Sequence, residues 1–366
     1  MKFPTSFVFG TILLSIFGCK AINAQELYFP PEQGEWERVD PATVEWDSAK
    51  LDAALEVAGA RNSSGLVILL RGRILAERYW DLPDAPARYI NYVSGHDAAG
   101  HVIEDVASAQ KSVVAVIVGI AQENGYLSID DPVSKYLGNG WSKTSIEDEN
   151  RITIRHLLTM TSGLATDLSL QAAPGKTWLY NTPAYHLLMR VVSAATEMDR
   201  DLLTANWITE KLSMQDSSWT ARPWASADIG VGFSTTARDL ARFGLMLQAG
   251  GKWRDQPVIQ DAQYIADMLS PSQALNPAYG YLWWINGQDF SIQANARASR
   301  VNGVRIPGAP RDLLAMQGAD DRKLYLVPSL GLIITRLGYS GAVEGEGEGF
   351  NEAFWRALMM AAPEMR

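Results

Sequence analysis

In residues 47–60, apolar side chains recur at Leu51, Ala54, Leu55, Val57 and Ala58. This spacing of three and four predicts a helix with one buried stripe. The period then changes. Residues 65–70 and 74–80 are apolar runs around Arg71-Gly72-Arg73, the pattern of a β-hairpin. Residues 108–122 are almost continuously apolar after Lys111, with Glu104 and Asp105 ahead and Asn124-Gly125 behind. Those flanks are start and stop signals, so this segment predicts a buried helix. Asp130-Asp131-Pro132 predicts a turn before a short helix. Further helices are expected at 153–160, 184–195, 200–212, 236–248 and 351–360, and further strands at 280–285, 323–327 and 331–337. Strands at both ends with helices between them predict an α+β fold: a sheet built from both termini, with a helical region inserted.

The extreme N-terminus has its own pattern. An apolar run over 7–18 follows Lys2 and is too short to span a bilayer. Ala24 closes a small-residue cleavage site, so residues 1–24 read as a signal peptide and the protein as exported, periplasmic or secreted. Ile16-Phe17-Gly18-Cys19 is an imperfect lipobox, and acylation of Cys19 is the second processing route. Cys19 is the single cysteine. Cleavage after Ala24 leaves none, which removes disulfides, thiolate catalysis and cysteine metal sites. It also removes Lys2 and Lys20, taking the net charge from −9 to −11. So acidic a chain has no electrostatic reason to bind nucleic acid. No second apolar segment is long enough for a membrane span. The 366 residues suffice for one large domain or two smaller ones. Glu344-Gly345-Glu346-Gly347-Glu348-Gly349 reads as a solvated loop.

Candidate chemistry begins at Ser108-Ala109-Gln110-Lys111. Residues three apart on a helix share a face, so hydroxyl and amine can meet. A serine hydroxyl needs a base, and a lysine serves once burial lowers its pKa. This is the only Ser-x-x-Lys in the chain, and it opens the most apolar central helix. The alternative is a capping serine with an exposed lysine one turn on. His96, His101, His156 and His186 lack metal-ligand spacing, so no metal or cofactor is expected. A Ser-His-Asp triad stays open at this level. Gly338-Tyr339-Ser340-Gly341 lacks the second glycine of a nucleophile elbow and reads as a turn. Tyr279, Tyr281, Trp283 and Trp284 read as strand packing.

The chain resembles the β-lactamase-related serine hydrolases: class C β-lactamases, D-Ala-D-Ala peptidases, and related esterases and amide hydrolases. The resemblance runs in order from about residue 60 to 360. It is carried by Ser108-Ala109-Gln110-Lys111-Ser112, Leu127-Ser128-Ile129-Asp130-Asp131-Pro132-Val133, Ile152-Thr153-Ile154-Arg155-His156-Leu157-Leu158, Pro174-Gly175, Ser234-Thr235-Thr236-Ala237-Arg238-Asp239-Leu240 and Tyr279-Gly280-Tyr281-Leu282-Trp283-Trp284. It implies an antiparallel sheet flanked by helices, with a helical part at about 100–225 inserted into one hydrolase domain over 25–366. It also implies acyl transfer to Ser108, with Lys111 activating it and Tyr180 shuttling protons as base and then acid. Tyr180-Asn181-Thr182 stands where Tyr-x-Asn is usual, and Met316-Gln317-Gly318 where a cation, Thr and Gly are usual. The resemblance gives Asn181, Thr182, Met316, Gln317 and Gly318 to substrate, and the amides of Ser108 and Ala319 to the oxyanion hole. With Met316 in place of the cation, the expected substrates are esters or neutral amides, including oligoamides of the 6-aminohexanoate type. The alternatives are a β-lactamase or D-Ala-D-Ala carboxypeptidase, and a non-catalytic binding or sensor protein of the same fold. Arg322 or Lys323 could replace the missing cation.

Overall fold

Asp47 caps the first long helix by accepting from the Lys50 amide, and α1 (Ser48–Ala60) buries Leu51, Ala54, Leu55 and Ala58. This is a computed structural model describing residues 27–32, 34–226, 229–295, 297–342 and 348–363. The expected signal peptide, Cys19 and residues 344–347 of the Glu-Gly run lie outside it. The hairpin follows as β1 (Ser63–Leu70) and β2 (Arg73–Tyr79). Two short strands come next, β3 (Val93–His96) and β4 (Val102–Asp105). A 3-10 turn, Ala107–Ala109, leads into α2 (Gln110–Glu123), which is buried from Gln110 through Ala121. Then come α3 (Ile154–Leu158), α4 (Thr182–Thr196), α5 (Arg200–Thr204), β5 (Ser218–Ala221), β6 (Val231–Thr235) and α6 (Ala237–Gln248). The last part holds β7 (Trp284–Ile285), β8 (Leu314–Gln317), β9 (Lys323–Val327), β10 (Leu332–Gly338) and α7 (Phe350–Ala361).

The main sheet is antiparallel, in the order β2-β1-β10-β9-β8-β7. It joins both termini, as the hydrophobic pattern predicts. All seven residues of β10 are buried because helices cover both faces. Ile333 and Leu324 pack where Gly244 of α6 leaves room, and the Thr335 hydroxyl donates to the Ala237 carbonyl at 2.8 Å. On the other face Tyr325 meets Trp355 of α7 edge-on at 5.3 Å.

A second sheet, in the order β3-β4-β6-β5, sits within the middle of the chain. Hydrophobic pattern alone missed it, because its strands are four or five residues long and partly polar. Other boundaries also moved. Only Trp284 and Ile285 of the expected 280–285 strand pair, because Gly280 donates to the Trp283 carbonyl and Leu282 sits at φ 60° in a turn. The expected helix at 200–212 stops at Thr204 and continues as a π-helical turn, Ala205–Thr209.

The segment between β7 and β8 is tied at its base. The Asn286 side chain donates to the carbonyls of Ile306 and Pro310 and accepts from the Ile306 amide. A small hairpin, Phe290–Ile292 with Arg300–Asn302, extends from that base.

Gly119 marks the tightest packing of α2. A Cβ there would lie 2.4 Å from the Tyr264 ring and 2.7 Å from Ile259. Alanine normally favours a helix interior over glycine by about 1 kcal/mol. Here overpacking dominates, so Gly119→Ala is expected to lose about 1–3 kcal/mol in urea unfolding.

Candidate active site

Ser108 lies on the 3-10 turn between β4 and α2, not on the α-helix itself. The turn is held from below. Ala107 occupies the left-handed region at φ 50°, a costly conformation for a residue with a Cβ. Its amide donates to Asp105 Oδ1 at 2.8 Å. Arg222 binds both Asp105 oxygens, at 2.6 and 2.8 Å, and donates to Gln110 Oε1 at 3.0 Å. Gly232 makes room for this clamp, since a Cβ there would lie 2.0 Å from Asp105 Oδ2.

Lys111 is 2% exposed, and its Nζ donates to Ser108 Oγ at 3.0 Å. The ammonium sits over the rings of Tyr180 and Tyr185, at 4.8 and 4.6 Å from their centres. Burial takes the charge out of water and, with the Arg222 charge nearby, pushes the Lys111 pKa down to about 7. No carboxylate among the described residues opposes that shift. The capping reading of Ser108, with an exposed lysine, does not hold.

Burial pushes the Tyr180 phenol up to about 12, against the opposing pull of the neighbouring Ser108 hydroxyl and of the Arg305 charge. The ring is boxed by Trp284, stacked at 6.0 Å, and by Tyr279 and Trp178 at 6.3 and 6.4 Å. At neutral pH the phenol is therefore protonated while the lysine is poised to titrate. Of the two roles expected for Tyr180, the protonated phenol fits proton donation, and the amine of Lys111 is the group of the pair able to take up a proton near neutrality.

The other expected site residues divide. The Asn181 side chain is committed elsewhere: it accepts from the Ala184 amide to cap α4 and donates to the carbonyls of Leu164 and Ala165. It has nothing left for substrate, which corrects the expectation. Thr182 is the first residue of α4. Met316 is fully buried opposite Leu324, so it is core rather than a substrate contact. Gly318 is needed by the protein's own backbone, since a Cβ there would lie 2.1 Å from the Val106 carbonyl. That approach sets the Ala319–Asp321 turn, which Ala319 opens, against the Ala107–Ala109 turn that holds Ser108.

Neither proposed replacement cation is available. Arg322 is fully buried in an ion pair with Glu104 at 3.2 Å, and Lys323 pairs with Asp321 at 3.0 Å. A different cation, Arg305 on the tied segment, lies beside the strand that bears Gln317. Its guanidinium stacks on Trp284 at 3.7 Å and donates to Gln317 Oε1 at 2.8 Å. No spacing motif marks Arg305, Arg222 or Asp105 as site residues; Asp105 drew notice only as a helix-start signal. Among the histidines, His101 pairs with Asp97 at 2.9 Å and stacks on Tyr79, and the His156 ring caps its own helix through Thr153. A cavity of about 730 Å³ opens beside Tyr185, between Pro183, Leu187, Trp219 and Val231. It borders the Lys111 pocket without enclosing Ser108. No group of residues suited to a metal ion occurs among the described residues, and no helix among them is long and apolar enough to cross a membrane.

The family profile described as Beta-lactamase matches residues 51–337. The chain belongs to the Beta-lactamase family. A curated relative, the uncharacterized protein BpOF4_21049 of Alkalihalophilus pseudofirmus, is 25% identical over 318 residues, covering 79% of this chain and 87% of its own. Solved structures share the fold of this Beta-lactamase-family chain. A β-lactamase from Mycobacterium bovis has a TM-score of 0.59 at 18% identity, covering 84% of this chain and 97% of its own. A Bacillus anthracis protein described provisionally as a 6-aminohexanoate-dimer hydrolase has a TM-score of 0.63 at 14% identity, covering 92% and 89%. The β-lactamase/transpeptidase-like α+β fold is that of the family's hydrolases.

A buried, uncharged-leaning lysine is a stability cost. Lys111→Met is expected to raise the thermal midpoint by about 2 °C or more at neutral pH, read by scanning calorimetry. A lower midpoint would mean that the ammonium contributes net stability.

Proposed function

We propose that this protein is a serine hydrolase that forms an acyl-enzyme on Ser108 from an ester or neutral amide and passes the acyl group to water. The observation that carries this reading is the 3.0 Å contact between Ser108 Oγ and the buried Nζ of Lys111. In the proposed cycle, neutral Lys111 accepts the Ser108 proton as Oγ attacks the substrate carbonyl. The oxyanion is received by the amides of Ser108 and Ala319. The tetrahedral adduct collapses, and Tyr180 donates its proton to the departing alcohol or amine, refilled from Lys111. A water molecule then attacks the acyl carbonyl, its proton passing to Lys111; the second tetrahedral adduct collapses with cleavage of the Ser108 Oγ–acyl bond, the proton returns to Oγ, and the carboxylic acid product leaves. No cofactor takes part. The N-terminal apolar run supports export of this hydrolase, with the small-molecule substrate met outside the cytoplasm.

Labelling with a fluorophosphonate and with a fluorescent penicillin, wild type against Ser108→Ala, tests the reading. The expected result is fluorophosphonate labelling of the wild type that disappears in the variant. Labelling of neither protein, or equal labelling of both, would overturn it. Serine-dependent penicillin labelling would extend the substrate range to β-lactams.

A further inference from the structure

The two amides proposed to receive the oxyanion belong to different sheets. Ser108 follows β4 of the small sheet, and Ala319 follows β8 of the main sheet. No strand pairing therefore sets the distance between them. Two donors must lie about 2.7–3.1 Å from one oxygen, with a tolerance of roughly half an ångström. A contact outside the strand ladders has to supply that precision.

The carboxylate of Glu104 bridges the two sheets. Glu104 stands on β4, four residues before Ser108, and is fully buried. Its donors from the main sheet are the Ser64 hydroxyl on β1, the Gly338 amide on β10 at 3.0 Å, and Arg322 Nε at 3.2 Å, directly ahead of β9. The Tyr89 hydroxyl also donates to it, at 2.6 Å. Arg322, itself fully buried, carries the link onward. Its Nη1 donates to the Ala319 carbonyl at 3.1 Å, and its own carbonyl accepts from the Gly318 amide at 2.8 Å. The peptide group that bears the Ala319 N–H lies between those two ties.

The turn beyond is held in a costly shape. Asp320 and Asp321 sit at φ 58° and 64°, a region that residues with a Cβ keep only where their surroundings impose it. Arg336 donates to the Asp320 carbonyl at 2.9 Å, and Arg88 to the Asp320 carboxylate at 2.8 Å. A buried ion pair contributes little net stability, because desolvation offsets the attraction. Glu104 and Arg322 instead fix one arrangement of two segments that nothing in the ladders aligns.

We propose that Glu104 and Arg322 are positioning residues for the oxyanion: together they set the Ala319 amide against the Ser108 amide across the seam between the sheets. This role rests on the serine hydrolase reading.

Glu104→Gln removes the charge and keeps the shape; Arg322→Lys keeps the charge and loses the reach to Ala319. Both variants of the full-length protein are assayed with 4-nitrophenyl hexanoate and with its thionoester, in which sulfur replaces the carbonyl oxygen. Rates are expressed per Ser108 titrated by a fluorophosphonate, which removes any loss of folded enzyme. In each variant kcat for the oxygen ester is expected to fall at least about tenfold, with KM within about twofold of the wild type. The ratio of kcat/KM, oxygen ester over thionoester, should fall at least about fivefold, because amides aimed at the place of an oxygen disfavour the larger sulfur. A defect at Lys111 or Tyr180 acts on both esters alike. A merely structural pair would lower the thermal midpoint and the titrated fraction but leave the ratio and kcat per titrated site unchanged, and that result would overturn the proposal. Arg322→Lys carries the test alone if Glu104→Gln does not fold. Wild-type protein without Ser108-dependent turnover would overturn the hydrolase reading and this role with it; wild-type turnover with an unchanged ratio in the variants would overturn this role alone.

Discussion

The site depends on one desolvated amine. Lys111 is almost wholly buried, its Nζ under the aromatic faces of Tyr180 and Tyr185 and against the Ser108 hydroxyl. In water its pKa would leave almost no free base at neutrality; burial brings that down to about 7. The same burial acts in the opposite sense on Tyr180 and holds its proton in place. One environment thus pushes an amine and a phenol apart, the separation that assigns base and acid roles to a pair. The apolar helix α2 makes this environment, with side chains buried from Gln110 to Ala121.

Around the amine, charge is arranged by a clamp and a tied segment. Asp105 and Arg222 neutralise one another while holding the strained turn at Ala107, so Ser108 is positioned by a buried ion pair rather than by helix geometry alone. Arg222 also keeps positive potential near Lys111, which discourages a second cation there. Arg305 is a different kind of charge: its guanidinium lies on Trp284, and its Nε and Nη1 have no partner among the described residues.

Much of the fold was legible because it rests on local signals. The α1 stripe with its Asp47 cap, the hairpin around Arg71-Gly72-Arg73 and the apolar runs of β9 and β10 each carry period, cap or turn within a few residues. Ser108 and Lys111 were legible for the same reason, being one turn apart. What escaped depends on contacts across long stretches of chain. Arg222 meets Asp105 from 117 residues away, and Arg305 reaches Trp284 by a segment folded back on Asn286. Asn181 and Met316 show the converse: a position in a motif says nothing of whether its side chain is used by the protein's own backbone or core.

The central claim is that Ser108 is activated by a lysine that loses its proton near neutrality. The rate of Ser108 acylation by a fluorophosphonate, measured as a function of pH in the wild type, tests it most directly. The rate should rise with pH through a single titration near 7 and then level off, because only the neutral amine can accept the serine proton. A rate flat between about pH 6 and 8, or one still climbing towards the ordinary lysine range near 10, would contradict the account.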